Sequence, residues 1–301
     1  MENIDVSIII VSFNTRELTV ECIRSVLRTL KKSSFEIIVV DNNSEDGSVE
    51  QIRKSFDSAQ NKVFVIKNSK NFGFSKANNI GIKESKGRCV LFLNSDTLVY
   101  ENTIDGMVEF MDANPDAGAS TCFIRLPNGK MDDASHRGFP TPLRALSHFS
   151  GLSKVFGGKF FGGYNLKHLN LNQTHEIEAL AGAFMLVRRG AGEEVGWWDE
   201  DFFWYGDDLD FCFRLKEREW KIYFVPEFEI LHYKGASGGL KKHSKHLTTA
   251  NHDTKRRAHE ARFAAMKIFY DKHYKNKYPR LVRSLVLAGI MVKKLASKFR
   301  I

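Results

Sequence analysis

Residues 90–97 are Val90-Leu91-Phe92-Leu93-Asn94-Ser95-Asp96-Thr97. Four consecutive apolar residues that stop at a small polar cluster are typical of a buried strand. In open α/β sheets the ligand crevice lies at the carboxyl ends of the strands. Asp96 directly follows such a strand. The sequence therefore predicts that Asp96 binds a divalent cation, which could in turn hold a diphosphate.

The segments before residue 90 repeat this arrangement of a strand with a polar end. Apolar runs at residues 6–11, 36–40 and 63–66 alternate with amphipathic or polar segments. Strands that alternate with helices through short connections predict an α/β fold with a mostly parallel central sheet and right-handed crossovers.

The pattern is less regular in the second half of the chain. We predict a helix over residues 103–114, a strand over 183–187, a helix over 208–219 and a strand over 222–225. Residues 119–180 hold two Gly-Gly pairs and scattered Pro residues. This stretch predicts a loop-rich acceptor or lid region.

The composition is that of a globular protein in a reducing compartment. The chain has 301 residues, of which 43% are apolar, enough to bury a large core. No apolar run reaches the roughly 18 residues of a spanning helix, and the N-terminus lacks the pattern of a secretory signal. Four widely spaced cysteines without a C-x-x-C pair predict buried free thiols. We therefore expect a cytoplasmic protein.

The net charge of +9 belongs to the C-terminal part of the chain. Residues 240–301 hold 17 Lys and Arg against 3 Asp and Glu, whereas the remainder holds 28 basic and 33 acidic residues. We therefore divide the chain into a catalytic body, residues 1–240, and a basic helical extension, residues 241–301. Its helices are predicted at residues 255–272 and 280–300. Such helices favour an anionic membrane surface; packing on the body or on a second copy, as a homodimer, is the alternative.

Polar residues follow the first predicted strands at residues 12–14, 41–44 and 94–96. The carboxyl ends of parallel strands share one edge of the sheet, so these groups are expected to lie together. Asp41 could accept hydrogen bonds from a base or a ribose hydroxyl; alternatively, it only caps the next helix. The candidate residues for a nucleotide at this edge are Ser12, Asn14, Asp41, Asn43, Asn94 and Ser95.

The segment at residues 71–81 is dense in amides and glycines. Glycine permits close backbone approach to a ligand, and Asn71, Lys76 or Asn78 could face a phosphate or a base. The alternative is an ordinary turn before a helix.

A second cluster, at residues 197–214, mixes carboxylates with aromatic residues. Asp207 and Asp208 stand where a helix begins, and one of them could be a general base whose pKa is raised by the aromatic surroundings and the neighbouring charge. Asp210 and Arg214 are spaced to pair on that helix.

His232 follows the last predicted strand of the body, and its imidazole could join Asp96 in a metal site. The alternative is a structural histidine. The remaining histidines, including those at residues 243–259, are predicted to be solvated.

Together these motifs resemble those of inverting glycosyltransferases of family 2. The resemblance covers residues 4–240 and is greatest to the rhamnosyltransferase-like branch that builds bacterial O-antigen and other surface polysaccharides. The matching motifs are Ser12-Phe13-Asn14, Val40-Asp41-Asn42-Asn43-Ser44, Asn71-x-Gly73-Phe74-x-x-Ala77-x-Asn79-x-Gly81, Asn94-Ser95-Asp96, Gly182-Ala183-x-Met185, the cluster from Asp199 to Arg214, and His232-x-x-Gly235-x-Ser237.

The resemblance implies a GT-A type fold, which binds a nucleoside-diphosphate sugar. It implies that Asp41 binds the nucleotide, that Asp96 and His232 hold Mg²⁺ or Mn²⁺, and that Asp208 deprotonates the acceptor. The chain departs from the family pattern in two places. Asn94 replaces the first acid of the D-x-D motif, as is usual in this branch, and Asp207 replaces a Glu. The second departure leaves open which acid is the base.

The implied activity is sugar transfer from a dTDP-, UDP- or GDP-linked donor to a lipid-linked saccharide at the inner face of the plasma membrane. One alternative, a sugar-1-phosphate nucleotidyltransferase, requires a Gly-rich loop after the first strand, and residues 12–16 contain no Gly. Another is a non-catalytic protein that binds nucleotide sugars. Binding of nucleic acid by the basic tail would leave the acidic clusters unexplained, so no nucleic-acid partner is expected.

Overall fold

The computed structural model describes residues 4–59, 61–145, 163–166, 168–235 and 252–298. Its centre is a nine-stranded sheet in the order β3-β2-β1-β4-β8-β6-β9-β5, with β7 paired to β9. The strands are β1 (Val6–Ser12), β2 (Phe35–Asp41), β3 (Val63–Lys67), β4 (Cys89–Leu93), β5 (Thr97–Val99), β6 (Ala117–Arg125), β7 (His175–Ile177), β8 (Phe184–Arg188) and β9 (Lys221–His232). Strands β1 to β4 are mutually parallel, whereas β8 runs antiparallel to both β4 and β6. The predicted α/β fold is confirmed.

Helices cover both faces of this sheet. They are α1 (Arg16–Thr29), α2 (Ser48–Ser55), α3 (Phe74–Glu84), α4 (Thr103–Ala113), α5 (Arg189–Glu194), α6 (Asp207–Glu217), α7 (His252–His273) and α8 (Arg280–Lys298). Alternate residues of β1 enter opposite core clusters: Ile8 and Ile10 pack on the side of α1, and Ile9 packs on the side of α3. This two-sided burial explains why the strand is apolar throughout.

One part of the loop-rich prediction for residues 119–180 is wrong. Residues Ala117–Arg125 form β6, a strand buried between β8 and β9. Small residues dominate β6, so its sequence lacks the bulky apolar pattern by which a strand is recognised. The small residues allow close packing: a Cβ on Gly118 would lie 2.6 Å from the Cβ of Trp220, so a larger residue would not fit there. Residues 146–162 of this region lie outside the described residues.

The first helix of the basic extension packs on the body. Phe269 of α7 and Tyr274, which directly follows that helix, share an apolar cluster with Phe202 and Phe213. The rings of Phe213 and Phe269 meet edge to face with centroids 5.8 Å apart. This contact fixes α7 beside the first turns of α6, which hold the predicted base.

The prediction that the remaining histidines are solvated is wrong for several of them. His168 and His252 are exposed, as predicted, and His148, His243 and His246 lie outside the described residues. His259 is buried and lies 2.8 Å from Ser297 Oγ. His273 Nε2 lies 2.7 Å from Asp210 Oδ1, and His136 Nε2 lies 2.7 Å from His175 Nε2. Each pairing joins residues far apart in the sequence, so local composition could not indicate it.

Among the helices in the described part of the chain, none combines the length and the apolarity that crossing a bilayer requires.

Candidate active site

The predicted polar strand ends converge at one edge of the sheet. Ser12 and Asp41 are register partners at the ends of β1 and β2. The backbone N–H of Asn14 donates to Ser44 Oγ at 2.9 Å, and Thr15 Oγ1 lies 3.1 Å from Ser95 Oγ. The structure therefore brings together the turns after β1, β2 and β4.

Asp41 is fully buried at this edge. Its Oδ2 accepts a hydrogen bond from the backbone N–H of Ser44 at 2.9 Å, so it does support the following turn. Its Oδ1 is also buried, and among the described residues it has no hydrogen-bond partner. A buried acceptor without a donor costs about 1–3 kcal/mol. A donor group of a bound ligand would offset that cost, so both suggested roles of Asp41 are compatible with this geometry.

Two asparagines shape the turns around Asp41. Asn14 and Asn43 both have positive φ, 51° and 64°, a conformation that Asn adopts more readily than most residues. Asn14 Oδ1 accepts from the backbone N–H of Glu45 at 2.8 Å. The side chain of Asn14 thus joins the turn after β1 to the turn after β2.

The loop before α3 is anchored to this edge by Asn42, a residue that was not predicted as functional. Asn42 Nδ2 donates to the carbonyl of Gly73 at 3.1 Å. Gly73 has φ +84°, and a Cβ there would lie 2.5 Å from the carbonyl oxygen of Phe203, so no larger residue fits. Within the same loop, Asn71 Oδ1 accepts from the N–H of Gly73 at 2.9 Å. Asn71 therefore lies in a loop fixed between β2 and the segment that leads into α6.

Lys76 and Asn78 make contacts within the protein. Asn78 is buried and donates to the carbonyl of Phe74 at 3.0 Å. Lys76 is partly exposed and pairs with Glu200 at 3.2 Å. Their contacts with a ligand stay predictions.

Asp96 and His232 meet through the pairing of β5 with β9. Thr97 and His232 are register partners, and the N–H of Tyr233 donates to the carbonyl of Asp96 at 2.9 Å. His232 Nε2 lies 3.2 Å from Asp96 Oδ1 and 3.4 Å from Asn94 Nδ2. Both Asp96 and His232 are buried. The structure thus brings together the two predicted metal ligands.

A second carboxylate lies on the other side of the imidazole. Asp132 Oδ2 is 3.5 Å from His232 Nδ1, and Asp132 also pairs with Lys234. Burial disfavours the charged form of His232. The nearby carboxylates of Asp96 and Asp132 favour it more strongly, and the net effect is to raise the pKa of His232 to about 9. Burial likewise opposes ionisation of Asp132, but His232 and Lys234 hold its pKa well below the usual range.

These residues would hold a divalent cation shared with a substrate once the cation displaces the proton that Asp96 and Asp132 favour on His232. Nitrogen and oxygen atoms 3.2 Å apart are separated by about the distance between adjacent ligands of an octahedral ion. A carboxylate behind the ligating imidazole, as Asp132 is here, is the usual orienting partner. The described residues contain no group of three or more His, Cys, Asp or Glu side chains that could hold a metal. Mg²⁺ or Mn²⁺ at this position would complete its coordination with diphosphate oxygens and water.

Asp207 and Asp208 begin α6, and their environments differ. Asp207 is buried, and burial together with the charge of Asp208 raises its pKa. The side chain of Asp208 is 17% exposed, and its Oδ2 lies 2.5 Å from Arg137 Nη2. An ion-paired and reachable carboxylate is better placed to accept a proton than a buried acid that retains its own.

The Asp207→Asn substitution is expected to make stability less dependent on pH. With its pKa raised, Asp207 keeps a proton in the folded chain that the unfolded chain releases from about pH 4 upward. The contribution of Asp207 to the free energy of unfolding is fully present below about pH 4. It is lost as pH rises through the raised pKa of the folded chain. The melting temperature of the variant should therefore fall less than that of the parent between about pH 5 and pH 9. An unchanged pH profile, matching that of the exposed control Asp253→Asn, would contradict a protonated Asp207.

A series of contacts leads from Asp208, the candidate base, through Arg137 toward the candidate metal ligands Asp96 and His232. Besides pairing with Asp208, Arg137 Nη2 contacts the carbonyl of Leu180 at 3.4 Å. Three residues further along, the carbonyl of Ala183 accepts from the N–H of Asn94 at 3.1 Å. A segment of that length spans at most about 11 Å. A short series of contacts therefore links Asp208 to the turn that holds Asp96.

The comparisons with known proteins agree with this geometry. The family model for glycosyl transferase family 2 matches residues 7–196. The chain is 25% identical over 170 residues to rhamnosyltransferase WbbL of Escherichia coli K12, covering 54% of this chain and 61% of WbbL. It is 27% identical over 219 residues to N-acetylglucosaminyl-diphospho-decaprenol L-rhamnosyltransferase of Mycobacterium tuberculosis, covering 67% of this chain and 68% of that enzyme. The match thus spans less than two thirds of WbbL and about two thirds of the mycobacterial enzyme.

A solved structure shows the same fold. Mannosyltransferase PcManGT from Pyrobaculum calidifontis, in complex with GDP-Man and Mn²⁺, superposes with a TM-score of 0.57 at 15% identity. The superposition covers 99% of this chain and 88% of that one.

Proposed function

Because the chain belongs to glycosyl transferase family 2, we propose that it moves a sugar from a nucleoside-diphosphate sugar to a lipid-linked saccharide, with inversion at the anomeric carbon. The observation that carries this proposal is the convergence of the turns after β1, β2 and β4, which brings Asp41 and the Asp96–His232 pair to one edge of the sheet. Together with Asp208 as a base, these groups would supply the nucleotide binding, the neutralisation of the leaving group and the proton removal that such a transfer needs.

The donor would bind at the ends of β1, β2 and β4. The buried Oδ1 of Asp41 would accept a hydrogen bond from the base or the ribose. Asp96 and His232 would hold Mg²⁺ or Mn²⁺, which would neutralise the diphosphate leaving group. Asp132 would keep the imidazole oriented toward that site. A dTDP, UDP or GDP donor is consistent with these contacts.

Asp208 would act on the opposite side of the sugar. Its carboxylate would take the proton of the acceptor hydroxyl as the hydroxyl oxygen bonds to the anomeric carbon and the bond to the diphosphate breaks. A single displacement of this kind inverts the configuration. Arg137, paired with Asp208 at 2.5 Å, would hold the carboxylate in position.

The nucleotide specificity can be tested with a thermal-shift panel. We expect one nucleoside diphosphate, among dTDP, UDP and GDP, to raise the melting temperature in the presence of Mn²⁺ more than the others, because the hydrogen bond that Asp41 Oδ1 would accept depends on the donor groups of the base. The corresponding sugar nucleotides should then support transfer or slow hydrolysis. Stabilisation without any turnover would favour a non-catalytic sensor, and no stabilisation by any of them would contradict the proposal.

We also propose that the protein acts at an anionic membrane surface, on the inner face of the plasma membrane, in surface polysaccharide synthesis such as that of O-antigen. Helix α8 has basic residues but no Asp or Glu. Leu281, Leu285 and Val292 of α8 are each at least 66% exposed. Two copies of so basic a helix would repel each other, whereas anionic lipid would attract it.

Membrane binding should depend on the exposed face of α8. The full chain is expected to sediment with vesicles containing phosphatidylglycerol, and less so at high salt, because lysine and arginine attract the anionic surface. The double variant Leu285→Glu/Val292→Glu should lose this binding. Phe64→Glu, which alters an exposed apolar residue of β3, is the matched control. Equal sedimentation of all three proteins would contradict the proposal.

A further inference from the structure

A groove lies between the helical extension and the two loops of the candidate site. Its walls include Asn71 and Phe203 on the body, Arg257 and Glu260 on α7, and Lys294 on α8, and its volume is about 500 Å³. Of these residues, only Asn71 is a predicted contact of the donor.

The groove adjoins both halves of the candidate active site. On the donor side, the N–H of Phe74 donates to the carbonyl of Phe203 at 2.9 Å, which joins the loop anchored by Asn42 to the loop before α6. On the acceptor side, Gly206 immediately precedes Asp207, and a Cβ on Gly206 would lie 3.1 Å from the Cβ of Ala265 of α7. A group bound in the groove would thus lie beside the loop that ends at the predicted base.

The groove carries a net positive charge. Arg257 and Lys294 line it, and Glu260 offsets one of these charges. Lys293 follows beside Lys294, and burial together with the charge of Arg262 lowers its pKa to about 8. Crowded cations of this kind create a positive potential that favours an anionic ligand.

Some cations of the same helices are already paired with carboxylates. Arg256 pairs with Asp253 at 3.6 Å, and Arg283 pairs with Asp271 at 3.1 Å. No carboxylate among the described residues lies within 4 Å of the charged groups of Arg257 or Lys294. The charges of these two side chains are therefore available to a ligand, whereas those of Arg256 and Arg283 are already paired.

We propose that this groove binds the diphosphate of the lipid-linked acceptor. The inference rests on the proposed function, since it names the second substrate of the same site. Arginine and lysine are the side chains that hold phosphate most strongly. Met291, three residues before Lys294 and so its neighbour on the surface of α8, is 65% exposed, which would let the lipid leave the groove past it toward the membrane.

The test uses farnesyl diphosphate as the probe and the full chain as the receptor. Titration in EDTA excludes binding through a divalent cation. The double variant Arg257→Gln/Lys294→Gln should bind farnesyl diphosphate at least about tenfold more weakly than the parent, because neutral glutamine cannot replace the charge-assisted hydrogen bonds to phosphate. The matched control Arg256→Gln/Lys277→Gln removes the same charge from nearby ion pairs and should bind like the parent. Farnesol should bind more weakly than farnesyl diphosphate.

The outcomes separate this inference from the proposed function. Equal affinity of the parent and the groove variant, or equal binding of farnesol, would overturn the inference. Thermal stabilisation by the preferred nucleoside diphosphate should be the same in the parent and the groove variant; its disappearance in the variant would assign the groove to the donor instead. Failure of every nucleotide to stabilise the parent would contradict the proposed function, whatever the farnesyl diphosphate result.

Discussion

The Asp208→Asn variant is expected to transfer sugar about 10²- to 10⁴-fold more slowly than the parent, the usual contribution of a positioned general base. The amide keeps the shape of the side chain but cannot accept the acceptor's proton. Binding of the nucleoside diphosphate should be unchanged, because Asp41 and the Asp96–His232 pair are intact. The measurement is single-turnover transfer together with a thermal shift on the same preparation.

Two neighbouring substitutions serve as controls for this result. Asp207→Asn replaces a buried acid whose raised pKa already favours the neutral form, so it should retain most of the transfer rate. Asp210→Asn breaks contacts with Arg214 and His273 and should lower stability without removing catalysis from the folded protein. Full activity in Asp208→Asn would remove this residue from the mechanism, and inactivity in Asp207→Asn alone would give the role to Asp207.

The sequence could predict the first half of the fold because strong local patterns specify it. The runs that became β1, β2 and β4 are buried on both faces, and such strands are apolar at nearly every position. The polar turns after them sit at one edge because parallel strands point the same way. The convergence of Ser12, Asp41 and Ser95 therefore follows from topology that the sequence pattern already contains.

The sequence could not indicate the partners that lie across the fold. Asp132 and Arg137 follow β6, a strand made of small residues, and their roles depend on contacts with His232 and Asp208. Nothing local distinguishes them from surface charges. Similarly, His273 is flanked by charged and aromatic residues in a basic helix, and only the packing of α7 on α6 brings it to Asp210.

The Asp96→Ala variant is expected to bind the nucleoside diphosphate with Mn²⁺ roughly 100-fold more weakly than the parent. Removing an orienting partner of a metal ligand costs about 10- to 100-fold, so removing the ligand itself should reach at least the upper end of that range. EDTA should weaken binding by the parent to a similar extent. Calorimetric titration with and without metal gives both numbers.

The losses of nucleotide affinity caused by Asp96→Ala and by EDTA should not add. If Asp96 acts by holding the cation, the Asp96→Ala variant has already lost that cation, so EDTA should weaken its nucleotide binding little further. Asp105→Ala is the control, because Asp105 is a buried carboxylate that accepts backbone hydrogen bonds from Lys31 and Ser33, and its removal should lower stability while leaving binding sensitive to EDTA. Affinity that is unchanged by EDTA in the parent would argue against a metal. In that case a protonated His232, paired with Asp96, would be the positive group that faces the diphosphate.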